Sequence, residues 1–399
     1  MNTPLHVRSL RVYQLAIPLR FRFEHAAAAR DTADPVVVEL AAGSPFAHHV
    51  GYGETLARSY VTGETPESVV TDLSDVFVPR LRSFEPASFA EALEFIEALP
   101  TQVGGRVITA ARAAVELALL DLACRVFQRR PGDVAGWLGL PGFGAPGCRA
   151  AIRYSGMVVG RTEGRLKTLL RLQRLYGLRD FKLKVGLEGW EQRLAWAHEV
   201  LGPALVRGKV TLRADANGAW SLAEAQEASA TLERFGVSAL EQPLPDAADA
   251  DLPRLAAQTK LALGVDESLL TVGDARRLIE AGGVRLFNLR IAKNGGLLPA
   301  LRIARLALAA GLDVQLGCLV GETSLLSAAG VAFLEICPKV RFVEGAFGSF
   351  LLRADITRRP VRFGCGGRIR GCPGPGLGIV VDRDALRRLS LVPPRLLNL

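Results

Sequence analysis

From about residue 150 onward the chain repeats one unit, a short apolar strand followed by a helical stretch, and this rhythm constrains the fold more than any other feature. The strand-like segments are FKLKVG (181–186), KVTLRAD (209–215), VSALEQP (237–243), LALGVDE (261–267), VRLFNLR (284–290), LDVQLGC (312–318) and VRFVEG (340–345). Strands joined through helices return to the sheet in the same direction and therefore pair in parallel. With AIRYSG (151–156) they make eight, which favours a closed barrel over an open doubly wound sheet. No G-x-G-x-x-G follows the first strand, and GFGAPG (142–147) sits in a Pro-rich connection that reads as linker.

The first 125 or so residues follow another pattern. Val7–Leu15 and Pro35–Leu40 have the apolar, β-branched character of strands, and helical patterns follow over Thr65–Leu81, Ala87–Leu99 and Thr109–Phe127. Strands followed by helices predict a small α+β domain, over residues 1–125, ahead of an α/β barrel over 126–372. A chain of 399 residues is long enough for both.

Charge and cysteine content exclude several classes. A net charge of +9 raises the question of nucleic acid, but the arginines are dispersed over helix-like segments without interleaved aromatics, so a small anionic substrate is the better expectation. The longest apolar stretch, Leu297–Leu312, is broken by Pro299, Arg302 and Arg305, so no membrane span is expected. Met1–Leu10 has no apolar core before its first arginines, which predicts a cytoplasmic protein. Six scattered cysteines, Cys124, Cys148, Cys318, Cys337, Cys365 and Cys372, form no C-x-x-C pair. Cys365 and Cys372 are close enough to invite a bridge, but free thiols are expected.

Charged residues recur at the C-terminal ends of successive strands, where barrel enzymes carry their active sites. Lys182 and Lys184 come first, then Asp215, Glu241, Asp266 and Arg290, with the three carboxylates 26 and 25 residues apart. Taken singly, each has an ordinary reading as helix N-cap, strand terminus or solvated edge. As an ordered series on converging strands they predict a common site, and three carboxylate oxygens suit Mg²⁺, with Mn²⁺ as a substitute.

The motifs FKLKVG, RADANGAW, EQPL, GVDES and IAKNGG, in this order, resemble the mandelate racemase and muconate lactonizing enzyme family of the enolase superfamily. The lysine motif resembles the muconate lactonizing enzyme-like subgroup in particular. VELALLDLACR (115–125) is similar to the helix closing that family's N-terminal capping domain, GYGET (51–55) to its strand exit, and PGPGLGIVVD (373–382) to the C-terminal return that completes the cap over about 373–399. The resemblance implies Asp215, Glu241 and Asp266 as metal ligands, with Asn217, Glu267 and Glu322 supporting them. It implies Lys184 as the base that removes a proton next to a substrate carboxylate. Lys182 shares its strand face, and its charge is expected to favour a neutral Lys184. Tyr60, Arg58 and His25, with Phe23, are candidate substrate contacts from capping loops at Arg20–Arg30 and Thr55–Gly63. Lys293 and Glu344 are further candidates from the barrel.

One position departs from the pattern. Relatives that racemize carry a lysine where this chain has Arg290, and a guanidinium stays protonated, so it can hold negative charge but cannot trade protons. A one-base reaction is therefore expected, either cycloisomerization or syn-dehydration of the o-succinylbenzoate synthase kind. Racemization or epimerization of an N-acylated or other amino-acid derivative is the alternative within enzymes. A non-catalytic metal- or ligand-binding barrel is the alternative of another class. Association into a homo-oligomer is expected from the resemblance.

Overall fold

The computed structural model describes residues 3–25, 28–144 and 152–399. Eight parallel strands form one sheet in sequence order: Gly156–Met157, Asp180–Lys184, Thr211–Asp215, Ala239–Glu241, Ala262–Val265, Leu286–Leu289, Asp313–Leu316 and Phe342–Val343. The sheet curls until its edges meet. Tyr154 bridges Val343 in parallel, and the Ser155 N–H donates to the Val343 carbonyl at 2.8 Å. The strands are shorter than the apolar runs that predict them, so Asp266 and Arg290 stand one residue past their strands. Ala151 lies outside the described residues, as do Ala145–Gly147 of the linker motif and Cys148.

Parallel pairing sets the register of the site. Lys184 is opposite Asp215, and Asp215 is opposite Glu241, so these three side chains are neighbours across adjacent strand ends. Two residues earlier, Lys182 is opposite Arg213. Because alternate residues share a face, both layers point into the barrel.

The N-terminal part is a four-stranded antiparallel sheet in the order Arg395–Asn398, Val7–Gln14, Val36–Ala42, Val50–Thr55. The strand that completes it from the C-terminus is thus Arg395–Asn398, while residues 373–382 run against the helix Thr109–Val126 through Asp121 and Arg125. That helix is buried all round from Thr109 to Cys124, as an Ala- and Leu-rich helix without a polar face must be when it lies between a sheet and a barrel. Gly53 lets the sheet approach it. A Cβ there would stand 1.9 Å from the Ala114 carbonyl oxygen. The predicted helix over Thr65–Leu81 is divided by a π-helical turn at Leu73–Phe77, and the expected loop at Arg20–Arg30 is instead a hairpin of strands Ile17–His25 and Ala28–Ala33.

Buried carboxylates fasten this cap to the barrel. Glu116 accepts from the Leu297 and Leu298 N–H groups at 2.7 and 2.8 Å, at the start of the helix that follows the sixth strand. Glu54 accepts from Thr323 and Leu326 at the start of the helix after the seventh. Both satisfy helix N-termini whose donors would otherwise be stranded. Among the described residues, Cys124, Cys318 and Cys365 are free thiols, and no helix is long and apolar enough to cross a membrane.

Candidate active site

At the C-terminal mouth of the barrel, strand ends deliver a dense set of charges. Lys184 Nζ donates to Asp215 Oδ2 at 2.6 Å and to Asn217 Oδ1 at 2.8 Å. Lys182 Nζ lies 2.8 Å from both Asp215 Oδ2 and Glu241 Oε1, and 3.0 Å from Glu344 Oε1. Asp266 is paired with the Arg290 guanidinium and with Lys293 Nζ at 3.0 Å. The two lysines of K-x-K differ in access: Lys184 is 17% exposed and Lys182 1%.

Asp215, Glu241 and Asp266 are thus on adjacent strands and fully buried, but among the described residues no three acidic side chains already converge as a ligand cage. Asp215 and Glu241 do meet around one ammonium, each 2.8 Å from Lys182 Nζ. Like charges on neighbouring strand ends repel, so each carboxylate takes the nearest ammonium or guanidinium instead. In donor chemistry the set still fits a hard divalent cation, since every candidate ligand is a carboxylate oxygen. Beside them Glu267 Oε2 is buried and has no hydrogen-bond partner, while its Oε1 accepts from Asn217 Nδ2 at 3.0 Å.

The pairings set the protonation states. Burial works against charge on Asp215, but Lys182 and Lys184 outweigh it and hold the carboxyl below the usual range. Burial and the adjacent Asp215 raise Glu241. Burial likewise opposes charge on Lys182, yet Asp215, Glu241 and Glu344 together raise its pKa well above that of a free lysine. Its ammonium is thus shared among three carboxylates. Arg290 is buried too, and Asp266 and Glu267 keep it firmly protonated.

Beneath this lies an inward-facing polar layer that the motifs do not announce. Arg213 donates to Glu344 Oε1 at 2.6 Å; burial works against charge on that carboxyl, but Lys182 and then Arg213 outweigh it and hold it down at about 2. Asn288 Nδ2 and Gln315 Nε2 donate to the two oxygens of Glu241 at 2.9 and 2.8 Å. Gln242, in a left-handed conformation with φ 38°, accepts from the Asp266 N–H at 2.8 Å through its side chain, which gives the glutamine of EQP a role in placing Asp266. The signal was parity: Arg213 and Asn288 stand two residues before Asp215 and Arg290, on the same face.

A cavity of about 430 Å³ opens above, lined at its polar end by Lys182, Lys184, Asn217, Glu267, Arg290, Glu322 and Glu344, and reached by Tyr60 and Phe21 from the cap. Glu322 accepts from the Leu319 N–H at 2.6 Å, and burial raises it to about 8. Two residues expected at the substrate are placed elsewhere. Arg58 is buried, bonded to Asp34 at 2.8 Å and to the Val320 carbonyl at 2.9 Å, so it ties the cap to the seventh loop. Lys293 is fully buried beside Asp266, where its ammonium also satisfies the Asp266 and Asn288 carbonyls at 2.6 and 2.9 Å. The side chains of Phe23 and His25 lie outside the described residues.

Comparison with known proteins gives this arrangement its context. The profile of the family described as Enolase C-terminal domain-like matches residues 165–385. Muconate cycloisomerase 1-2 of Acinetobacter lwoffii is 30% identical over 346 residues, covering 85% of this chain and 84% of that one. L-Lys-D/L-Arg epimerase of Methylococcus capsulatus is 28% identical over 385 residues, covering 94% and 99%. Among solved structures, a muconate lactonizing enzyme from Pseudomonas fluorescens complexed with muconolactone superposes with a TM-score of 0.84 at 25% identity, over 98% of this chain and 100% of that one. Barrel, cap, ordered strand-end charges and these matches together establish that the chain belongs to the enolase superfamily of enzymes, in the mandelate racemase and muconate lactonizing enzyme family.

Proposed function

We propose that this protein is a magnesium-dependent isomerase or lyase that removes a proton from the carbon next to a substrate carboxylate, with Lys184 as its base. The observation that carries the proposal is the division of labour between two strand-end cations facing one cavity. Lys184 is the partly exposed lysine of its pair, held by Asp215 and Asn217. Arg290, one residue past the sixth strand, is a permanently charged group whose buried Nε has no hydrogen-bond partner.

Asp215, Glu241 and Asp266 would hold the divalent ion, trading lysine and arginine contacts for it, and the ion would supply positive charge against the developing dianion of the deprotonated carboxylate. Lys184 takes the α-proton from one face and can return it to the same face. Arg290 offers its fixed charge to the anionic substrate and cannot act as a second base. Glu344 and Glu241, pinned by Arg213, Asn288 and Gln315, hold Lys182 as a fixed cation of the floor.

One-face proton transfer supports cycloisomerization or syn-elimination, and the relatives named as muconate cycloisomerases agree with the first. Relatives named as racemase and epimerase favour a two-base reaction, which Arg290 opposes. The test is α-proton exchange in D₂O with the Mg²⁺-loaded enzyme. Exchange is expected with the unaltered protein and abolished in Lys184→Ala, and exchange that survives in Lys184→Ala would refute the assignment of the base.

A further inference from the structure

Among the described residues, the charged groups lining the cavity above Lys184 are Lys182, Lys184, Glu267, Arg290, Glu322 and Glu344. The rest of its lining is mainly an apolar wall, with Leu169 and Leu172 of the helix Glu163–Leu175 after the first barrel strand, Tyr176 capping that helix, Phe347 and Phe350 after the eighth strand, and Phe363 further on. Phe363 is the hub of this wall. It stacks on Tyr154 with ring centres 5.4 Å apart and planes 15° from parallel, meets Phe347 edge-on at 5.5 Å, and lies 5.3 Å from Phe350.

Polar side chains in this wall are already committed. Gln173 uses both ends of its amide on the Met157 backbone, each at 2.9 Å. The Tyr176 hydroxyl donates to the Phe363 carbonyl at 3.3 Å. Among the described lining residues no charged group stands at this end. The apolar surface continues to the mouth, where Phe21, Leu172 and Phe350 are 48%, 55% and 44% exposed.

A second carboxylate seated here would lose its hydration and gain neither cation nor donor. An aryl ring in the same place exchanges wet apolar surface for contact with Phe363 and its neighbours, a gain of roughly 10- to 100-fold in affinity for one well-buried ring. We infer that the substrate is a monocarboxylate whose skeleton beyond the α-carbon is a bulky apolar group, aryl or branched alkyl, seated against Phe363. The inference rests on the proposed function only for the placement of the carboxylate at the charged floor. It also bears on the reaction: lactonization of a diacid uses a second carboxylate as nucleophile, so an apolar monocarboxylate favours elimination over lactonization.

The test is calorimetric binding of three carboxylates of similar reach to the Mg²⁺-loaded protein: 4-phenylbutyrate, adipate and 4-(trimethylammonio)butyrate. Measuring both the unaltered chain and Lys184→Ala separates this inference from the assignment of the base, because binding needs no proton transfer. The expected result is 4-phenylbutyrate binding roughly 10- to 100-fold tighter than the other two in both proteins. Phe363→Ala should remove most of that preference while leaving adipate unchanged. Leu172→Arg, a change at the exposed rim that leaves the core packing in place, should strengthen adipate alone. Adipate binding as tightly as 4-phenylbutyrate would overturn the inference, as would tighter binding of the quaternary ammonium, which would make the aromatic wall a cation site instead.

Discussion

Replacing Arg290 by methionine separates the arginine's structural work from its chemical work. Its guanidinium is 8% exposed and paired with Asp266, which is fully buried. Leaving a buried carboxylate wholly unpaired costs about 3–5 kcal/mol. Here Lys293 Nζ, 3.0 Å from Asp266 Oδ1 in the unaltered chain, is expected to go on pairing with it, so the loss should be only part of that, about 1–3 kcal/mol. The rate should fall further than stability, by about 10²–10³-fold, if Arg290 holds the anionic charge as an oxyanion-type donor does. Urea melts give the first quantity. The second comes from ¹H NMR of α-proton exchange in D₂O, using a 2-substituted carboxylic acid supplied as separate enantiomers. The unaltered enzyme should exchange one enantiomer without converting it to the other. Conversion of either enantiomer into its mirror image would refute the one-base argument. A folded Arg290→Met that keeps its exchange rate within about fivefold would remove the arginine from charge stabilisation.

Other consequences can be checked separately. Asp266→Asn should weaken Mg²⁺ binding in calorimetry, and unchanged affinity would remove Asp266 from the ligand set. Glu116→Gln should cost about 2–4 kcal/mol in urea melts, because the two N–H groups it accepts from would meet one carbonyl and one NH₂, leaving a buried donor unpaired; a loss below about 1 kcal/mol would mean the cap is not fastened there. Burial raises Glu54, Glu64 and Glu116 from 4.5 to about 7, so the folded state holds these protons more tightly than the unfolded chain does. Their contribution is fullest below the unfolded value and is lost as pH rises through about 7. Urea midpoints should accordingly be higher near pH ~5.5 than near pH ~7.5, and the reverse order would contradict the burial argument. Homo-oligomer assembly, expected from the family, is tested by light scattering, where a monomer at micromolar concentration would exclude it.

The sequence by itself determined the barrel, the order of its strands and which side chains point inward. Those properties are local: a run of apolar residues makes a strand, alternation fixes each face, and a one-unit spacing brings Asp215, Glu241 and Asp266 to successive strand ends. It also marked Arg290 as a departure, because a guanidinium's chemistry needs no tertiary context. Only the tertiary structure decided how the charges pair. Lys182 and Glu344 are 162 residues apart in the chain, and nothing along it indicates that they meet, or that Lys182 is enclosed while Lys184 opens to the cavity. Arg58 and Lys293 had the composition of substrate contacts, but desolvation left them stable only against Asp34 and Asp266, which parity cannot reveal. The apolar wall was equally hidden, since Phe363 reaches the site through an irregular segment whose path is set by packing against Tyr154 and Phe347, not by any period in the sequence.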